Sequence, residues 1–238
     1  MACHGGPDIV EDNLVLCLDA ANTKSYDDSE SGFPGGGTWN DLSGSGNNGT
    51  LSNGPTFSSD NGGSIVFDGI NDHVDFASSN DFRFGTGDFT ISYWSNFNVL
   101  GSLDSPIDMR GSSWENTGYS DYIESNKWKT WYKSPSYPSA ADNWYTSSAT
   151  LVTDKWYNFV VSRDSGTVKF YINNVLDGSV TFNNDMVGAG LVIGWNVSSQ
   201  SGRSFDGKFA WLGIYKGRGL STTEIAQNFN ALKGRFNL

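Results

Sequence analysis

The chain predicts an all-β sandwich carrying one short helix near its C-terminus. Three observations point there. Ser64–Phe76 reads Ser-Ile-Val-Phe-Asp-Gly-Ile-Asn-Asp-His-Val-Asp-Phe, with Ile65 and Phe67, then Val74 and Phe76, on alternate positions. A period of two is the mark of a strand with one buried face. Short runs of the same kind recur along the chain with turn residues between them, the pattern of a sandwich rather than a parallel sheet. The carboxylates are 21 Asp against 5 Glu; Asp belongs in turns, where its side chain bonds its own backbone, and Glu belongs on helices.

Taken in order, residues 1–13 carry Gly5, Gly6 and Pro7 without periodicity and are read as an N-terminal arm, with residues 14–238 as one domain. Leu14-Val15-Leu16-Cys17-Leu18 is the first strand, its three leucines on one face. Residues 22–63, rich in Gly, Ser, Asn and Asp, form a long irregular stretch. Ser64–Phe76 is read as a hairpin, with Asp68-Gly69 and Asn71-Asp72 supplying the turn. Asp88–Phe97 puts Phe89, Ile91 and Tyr93 on one face and Thr90, Ser92 and Trp94 on the other. Residues 107–109, 119–123 and 128–132 are candidate strands. Trp156–Ser162 turns through Asp164-Ser165-Gly166 into Val168, Phe170 and Ile172, and Asn173-Asn174 turns again into Val175–Thr181. Leu191, Ile193 and Trp195, then Phe209–Tyr215, are the last strands. Ser221-Thr222-Thr223-Glu224 spells a capping box. Ile225, Phe229 and Leu232 follow at helical spacing, and Gly234 is placed as the stop.

At 238 residues, with 15 Phe, 10 Tyr and 9 Trp, the chain fills a sandwich core without staples. Its two cysteines, Cys3 and Cys17, provide no disulfide framework, and Cys17 is read as a small buried apolar residue. A net charge of −11 argues against a nucleic-acid surface. No run approaches a membrane span, so no membrane insertion is expected. The first residues show neither the basic start nor the apolar run of a signal peptide, which places synthesis in a cytoplasm.

Leu16-Cys17-Leu18-Asp19-Ala20-Ala21-Asn22, Thr38-Trp39-Asn40-Asp41-Leu42-Ser43-Gly44 and Gly46-Asn47-Asn48-Gly49-Thr50 resemble the opening of laminin-G-like, concanavalin A-like jelly-roll domains. Ile65–Phe76 and Phe205-Asp206-Gly207-Lys208-Phe209-Ala210-Trp211-Leu212-Gly213-Ile214-Tyr215, with Leu220–Ile225, continue the resemblance, which covers residues 9–236. It implies a jelly-roll β-sandwich, a fold that hosts lectins, glycanases, adhesion modules and virion parts. The chain departs from the pattern at Phe209-Ala210-Trp211, where many members carry an acidic residue, so no role tied to that acid transfers. The two ends, His4-Gly5-Gly6-Pro7-Asp8-Ile9-Val10 and Gln227–Phe236, are similar to structural proteins of tailed phages of marine bacteria. That resemblance implies a capsid decoration, fibre or tail component localised to the virion. It also implies virion-protein partners, homo-oligomerisation, and His4, Pro7, Asp8 and Ile9 as the arm that anchors a neighbour. A free lectin-like module and a glycan hydrolase are the alternatives.

Retaining glycanases need two carboxylates about 5–5.5 Å apart. The five glutamates, Glu11, Glu30, Glu115, Glu124 and Glu224, form no Glu-x-Asp-x-x-Glu run. Asp121 and Glu124, the nearest approach, fall on opposite faces of a strand, so the chain is read as no enzyme. His4 and His73 have no metal-ligand spacing. Gly44-Ser45-Gly46-Asn47-Asn48-Gly49 lacks the strand before and helix after that a dinucleotide loop requires. Tyr119, Tyr122, Trp128, Trp131, Tyr132, Tyr137, Trp144 and Tyr145 crowd together with Lys127, Lys129 and Lys133 interleaved. Aromatic faces stack on sugar rings, and Tyr119, Tyr122, Trp128, Trp131 and Tyr132 are the candidates for glycan contact; the competing reading places them in the core or in a subunit contact. No cofactor is required by the sequence. Asp68, Asn71, Asp72 and Asp206 are the oxygen donors for calcium, a hard cation; the competing reading makes all four turn formers.

Overall fold

The computed structural model describes residues 8–27, 37–101, 103–110, 118–133, 143–183, 185–186, 188–195 and 203–238. Alternation resolves into strands that pair antiparallel throughout these residues: β1 (Leu14–Asp19), β2 (Gly37–Trp39), β3 (Gly49–Ser52), β4 (Thr56–Ser58), β5 (Ser64–Asp68), β6 (His73–Phe76), β7 (Phe89–Phe97), β8 (Asp104–Asp108), β9 (Gly118–Glu124), β10 (Lys127–Lys133), β11 (Asn143–Thr146), β12 (Trp156–Asp164), β13 (Thr167–Ile172), β14 (Val175–Thr181), β15 (Val192–Ile193) and β16 (Asp206–Lys216). One helix, α1 (Thr222–Leu232), follows. The back sheet runs β14-β13-β12-β7-β16-β5-β4, with β1 sharing the far half of β16, and the front sheet runs β11-β10-β9-β8-β15-β6-β3-β2. Between them lies one core, holding Phe67, Tyr93, Phe159, Phe170 and Phe209 from the back and Val74, Ile107, Tyr119, Ile123 and Trp128 from the front. The chain is thus an all-β jelly-roll sandwich with one short C-terminal helix, as the sequence predicts.

Ser64–Phe76 forms two strands but not a hairpin. β5 lies between β4 and β16 in the back sheet, whereas β6 lies between β3 and β15 in the front sheet. Residues 69–72 therefore turn a corner from one sheet to the other. The Asp68 N–H donates to Asp72 Oδ2 at 3.0 Å, and the Ile70 N–H to Asp68 Oδ1 at 2.8 Å. Ile65, Phe67 and Val74 all reach the same core. Alternation tells which face of a strand is buried, and both sheets of a sandwich bury theirs in one place.

Among its described residues, the irregular stretch 22–63 contains three strands of three or four residues, β2, β3 and β4, set by pairing with neighbours rather than by their own pattern. Cys17 is fully buried in β1, as expected, but it is disulfide-bonded rather than free; Cys3 lies outside the described residues. The capping box at α1 forms as read: the Ser221 N–H donates to Glu224 Oε2 at 2.9 Å, and the Glu224 N–H returns to Ser221 Oγ at 3.4 Å. Gly234 does not stop the chain, which continues as a 3-10 turn over Lys233–Phe236.

α1 and this turn cover the outer face of the back sheet. Trp94, Trp156, Ala210 and Trp211 pack there against Leu232, Phe236 and Ile9. Every residue of β7 is buried for that reason, on the outward positions as well as the inward ones. The N-terminal expectation is corrected here. Ile9 is only 3% exposed, inside this cluster. The Val10 N–H donates to Asn228 Oδ1 at 2.9 Å, the Tyr215 hydroxyl donates to the Val10 carbonyl at 2.8 Å, and Gln227 Nε2 donates to the Asp8 carbonyl at 2.8 Å. Asp8 and Ile9 thus serve this chain's own outer layer, because an apolar face on the sheet needs cover. His4 and Pro7 lie outside the described residues. Among the described residues no helix is long and apolar enough to cross a membrane.

Candidate functional site

The outer layer occupies the back sheet, which leaves the outward face of the front sheet as the candidate surface. Its centre is written by β9 and β10, paired Ile123 to Trp128, Tyr122 to Lys129, Asp121 to Thr130, Ser120 to Trp131 and Tyr119 to Tyr132. Successive side chains point to opposite sides. Tyr119, Trp128 and Tyr132 therefore point inward and belong to the core, which corrects their assignment as glycan contacts. Tyr145 joins them, stacked on Phe170 at 3.8 Å. Tyr122 and Trp131 alone of the five candidates take the outward phase. Tyr137 and the side chains of Trp144 and Lys133 lie outside the described residues.

A straight row crosses the outward face through the register Asp75–Val192–Asp108–Ser120–Trp131, one residue from each of β6, β15, β8, β9 and β10. Strands lie about 4.8 Å apart, so the row is about 19 Å long. Asp108 is fully buried and held by Arg110, whose Nε lies 3.0 Å from both carboxylate oxygens and whose Nη2 bonds Oδ2. The Arg110 guanidinium in turn lies 5.2 Å from the Trp131 ring centre, a cation–π contact. Ser120, 2% exposed, sits between Asp108 and Trp131 in this row, Arg110 and Trp131 are each 7% exposed, and among the described residues the Ser120 Oγ has no hydrogen-bond partner. An orphaned hydroxyl among desolvated polar groups calls for a physical reason. Sequence reasoning missed Asp108 and Arg110, although Asp-x-Arg across 108–110 is the spacing that puts two side chains on one face of a strand.

Half-buried Tyr122 occupies the adjoining row, opposite Lys129, which is ion-paired with Glu124. Burial, then the Glu124 carboxylate, push the Tyr122 phenol well up, while Arg203 works against them. Toward β6 the same face carries His73, bonded to Asp75 at 2.9 Å and packed on Trp195 at 5.9 Å between ring centres.

Behind the face, Asp121 points into the core, opposite in phase to Glu124 as expected, and is fully buried. It accepts from the Tyr93 hydroxyl at 2.8 Å, the Tyr119 hydroxyl at 2.5 Å and Thr130 Oγ1 at 2.9 Å. Tyr93 belongs to the back sheet, so the carboxylate ties the two sheets together. Burial raises its pKa from 3.8 to about 6, with the Tyr119, Tyr93 and Thr130 hydrogen bonds opposing. No catalytic pair arises from Asp121 and Glu124, which stand on opposite sides of one strand.

The four oxygen donors named for calcium sit at the corner after β5. Asp68 Oδ1 accepts from the Ile70 and Asn71 amides, Asp72 Oδ2 from the Asp68 amide, and Asp206 Oδ1 from Asn98 Nδ2. The Asn71 carbonyl faces His73 Nδ1 at 2.8 Å. Desolvation pushes the Asp72 carboxyl up. These are the bonds of a turn, and among the described residues no group of three or more His, Cys, Asp or Glu side chains is arranged to hold a metal.

A helix-backed antiparallel sandwich with a polar and aromatic front face defines a lectin-like jelly roll. The chain belongs to the concanavalin A-like lectin/glucanases superfamily, whose laminin-G-type profile matches residues 68–226. No curated protein sequence matches it. Among solved structures, the binding domain of Paraclostridial Mosquitocidal Protein 1 superposes with a TM-score of 0.73 at 17% identity, over 92% of this chain and 52% of that one. The botulinum neurotoxin serotype D ligand binding domain in complex with N-acetylneuraminic acid gives 0.70 at 14% identity, over 93% and 51%. A structure concerning the entry of botulinum neurotoxin type C through two ganglioside molecules gives 0.69 at 15%, over 94% and 52%. At such identities the likeness is one of fold, and this chain spans about half the length of each of those proteins.

Proposed function

We propose that this chain is a non-enzymatic glycan-binding module whose contact surface is the outward face of the front sheet. The observation that carries the reading is half-buried Tyr122 on the outward face, beside the row Asp108–Ser120–Trp131 with Arg110, whose members are only 0–7% exposed and form a polar and aromatic floor beneath it. Sugar rings need an aromatic platform and fixed polar groups around it. Binding domains among the structural neighbours support the same reading. Against hydrolysis stands the engagement of the carboxylates: Asp108 is held by Arg110, Glu124 by Lys129, and Asp121 faces the core. Isothermal titration against oligosaccharides selected on a glycan array tests this. Tyr122→Ala is expected to weaken binding about tenfold or more, the loss of an aromatic anchor, without release of reducing sugar by the parent. Absence of any glycan ligand, or detectable hydrolysis, overturns it.

A virion setting, in which the module serves as an adhesive decoration, fibre or tail component, rests on the resemblance of the chain's ends to phage structural proteins. Co-sedimentation of the chain with purified particles tests that setting. Self-association has a specific observation in its favour. β14 is an edge strand with neither Lys nor Pro, and Val175 and Leu176 on it are 67% and 53% exposed. Exposed edges pair with further strands, and a strand pairing with its own copy obeys a two-fold axis. Leu176→Lys is expected to shift a dimer to monomer in analytical ultracentrifugation; a parent that stays monomeric at high concentration removes the idea.

A further inference from the structure

We propose that one end of the sandwich is a lipid-facing rim, whose aliphatic loop tips dip into the surface of an electrically neutral membrane leaflet. The inference is independent of the glycan-binding reading and goes beyond it, since it assigns a second surface and a second partner. Single exposed apolar side chains are ordinary on a protein; their placement here is not. Among the described residues the exposed large apolar side chains are Ile70, Val99, Val152, Val175, Leu176 and Leu238, between 43% and 71% exposed. In the back sheet Asp68 stands beside Asp206, Phe97 beside Gly207, Asn96 beside Trp156, and Ile172 beside both Phe159 and Val175. The β5–β6, β7–β8, β11–β12 and β13–β14 connections therefore meet at one end, and they bring every one of these side chains except Leu238 with them. From β14 across β13, β12, β7 and β16 to β5, at about 4.8 Å per strand, the row of tips is about 24 Å long.

Anchored backbone holds the tips outward. The Ile70 N–H donates to Asp68 Oδ1 at 2.8 Å, and its carbonyl accepts from the Ser204 hydroxyl at 2.7 Å. Next to Val99, the Asn98 N–H donates to the Asp206 carbonyl at 3.0 Å and its Nδ2 to Asp206 Oδ1 at 2.8 Å. The Val152 N–H donates to the Tyr157 hydroxyl at 2.9 Å. Before Val175, the Asn173 N–H donates to the Asn158 carbonyl, and the Asn158 N–H returns to Asn173 Oδ1, both at 2.8 Å. No charged residue occurs in 69–71, 98–101, 147–153 or 173–176, in a chain of 26 acids and 15 bases. That composition selects the partner. A strong protein interface centres on aromatic or arginine anchors, and these tips present only Ile, Val and Leu among Asn, Ser, Thr and Gly. Binding to a bilayer surface scales with the apolar area inserted, and a plane meets a row of separate tips that a rigid partner would have to match one by one. Behind the tips the carboxylates, among them Asp68, Asp154 and Asp206, outnumber Lys127, Lys155 and Arg203, and the whole chain carries −11. An anionic leaflet is therefore repelled, and a zwitterionic one is not. Such contact is interfacial and needs no membrane span.

Flotation of the full chain with phosphatidylcholine vesicles tests the proposal, since these carry neither sugar nor net charge. The chain is expected to float with them, and to do so less as phosphatidylserine is added, with salt restoring the loss. The triple variant Ile70→Asp, Val99→Asp, Val152→Asp, checked for an unchanged melting temperature, is expected to lower the partition coefficient about tenfold or more. It keeps Val175 and Leu176, so the β14 edge stays intact. Leu238→Asp, an equal change outside the rim, is expected to bind as the parent does. No flotation with phosphatidylcholine, a preference for phosphatidylserine, binding that survives the triple variant, or an equal loss in Leu238→Asp overturns the proposal. So does a parent dimer that the triple variant turns into monomer in analytical ultracentrifugation, which gives the rim to a second copy of the chain. Because the vesicles hold no sugar, each of these failures leaves the glycan reading standing.

Discussion

Asp121→Asn is expected to flatten the pH dependence of folding stability between about pH 4 and pH 6. Asp121 titrates at 3.8 when unfolded and at about 6 in the folded chain, because burial penalises its charge more than three hydroxyl donors repay. The folded state thus holds the proton more tightly than the unfolded state. Its contribution is fully present below pH 3.8 and is lost as pH rises through about 6, leaving a cost of about 3 kcal/mol at neutral pH. Asp177 and Glu224 work the other way. The Ser148, Tyr145 and Ala149 hydrogen bonds outweigh desolvation at Asp177, and the Ser221 amide dominates at Glu224, so both carboxyls are held low. Their stability is present above the usual carboxylate range and is lost on acidification. The difference between parent and variant isolates Asp121. An Asn oxygen can accept from Tyr93 and Tyr119 while its amide donates to Thr130 Oγ1, so the network survives without the charge. Urea unfolding across pH 3–8 measures the effect, and parallel profiles for parent and variant would sink it. Asp121→Leu provides the contrast. It strands the Tyr93 and Tyr119 hydroxyls in the core, at about 1–3 kcal/mol each.

The same carboxylate illustrates how far the sequence could be read. Period-two alternation separates Asp121 from Glu124 and Tyr122, and the structure agrees. Alternation also contains the answer for the aromatic cluster, since Tyr119 and Tyr122 stand three apart and must face opposite sides. Counting rings over a window discards that phase, and so Tyr119, Trp128 and Tyr132 enter the candidate site wrongly. Ser64–Phe76 marks a different limit. Its strands and buried faces are legible, but whether a four-residue turn folds back within a sheet or crosses to the next depends on partners more than a hundred residues away, such as Phe209 opposite Ile65. β2, β3 and β4 are too short to show a period at all, and their pairing partners define them. Ile9 is the converse case: one apolar residue in a polar arm has no periodic signal, yet the apolar face of Trp94, Trp156 and Trp211 needs it.

Trp94→Ala is expected to be the most damaging single truncation in the outer layer, and to leave glycan binding intact. Trp94 is fully buried on the back sheet, its ring stacked on Phe236 at 4.3 Å and 20° and on Phe229 at 5.5 Å and 15°. Phe236 also meets Trp156 at 4.5 Å. Removing a buried tryptophan costs about 3–5 kcal/mol, transfer and cavity together, against a total stability of about 5–15 kcal/mol. For a chain of this length that corresponds to a fall in melting temperature of very roughly 6–20 °C. Phe236→Ala removes part of the same stack, so the double variant is expected to lose less than the sum of the two, by about 1 kcal/mol. The loss acts on α1, the 3-10 turn and the segment at Ile9, which share the cluster. The front face stands on the other sheet, about 10 Å away across the core, with none of its residues in the cluster. Below its melting temperature, Trp94→Ala therefore keeps the parent's sugar affinity while Tyr122→Ala keeps the parent's stability. A Trp94→Ala protein that melts with the parent would show that the helical layer is no part of the cooperative unit. One that folds but loses sugar binding would move the site to the back sheet.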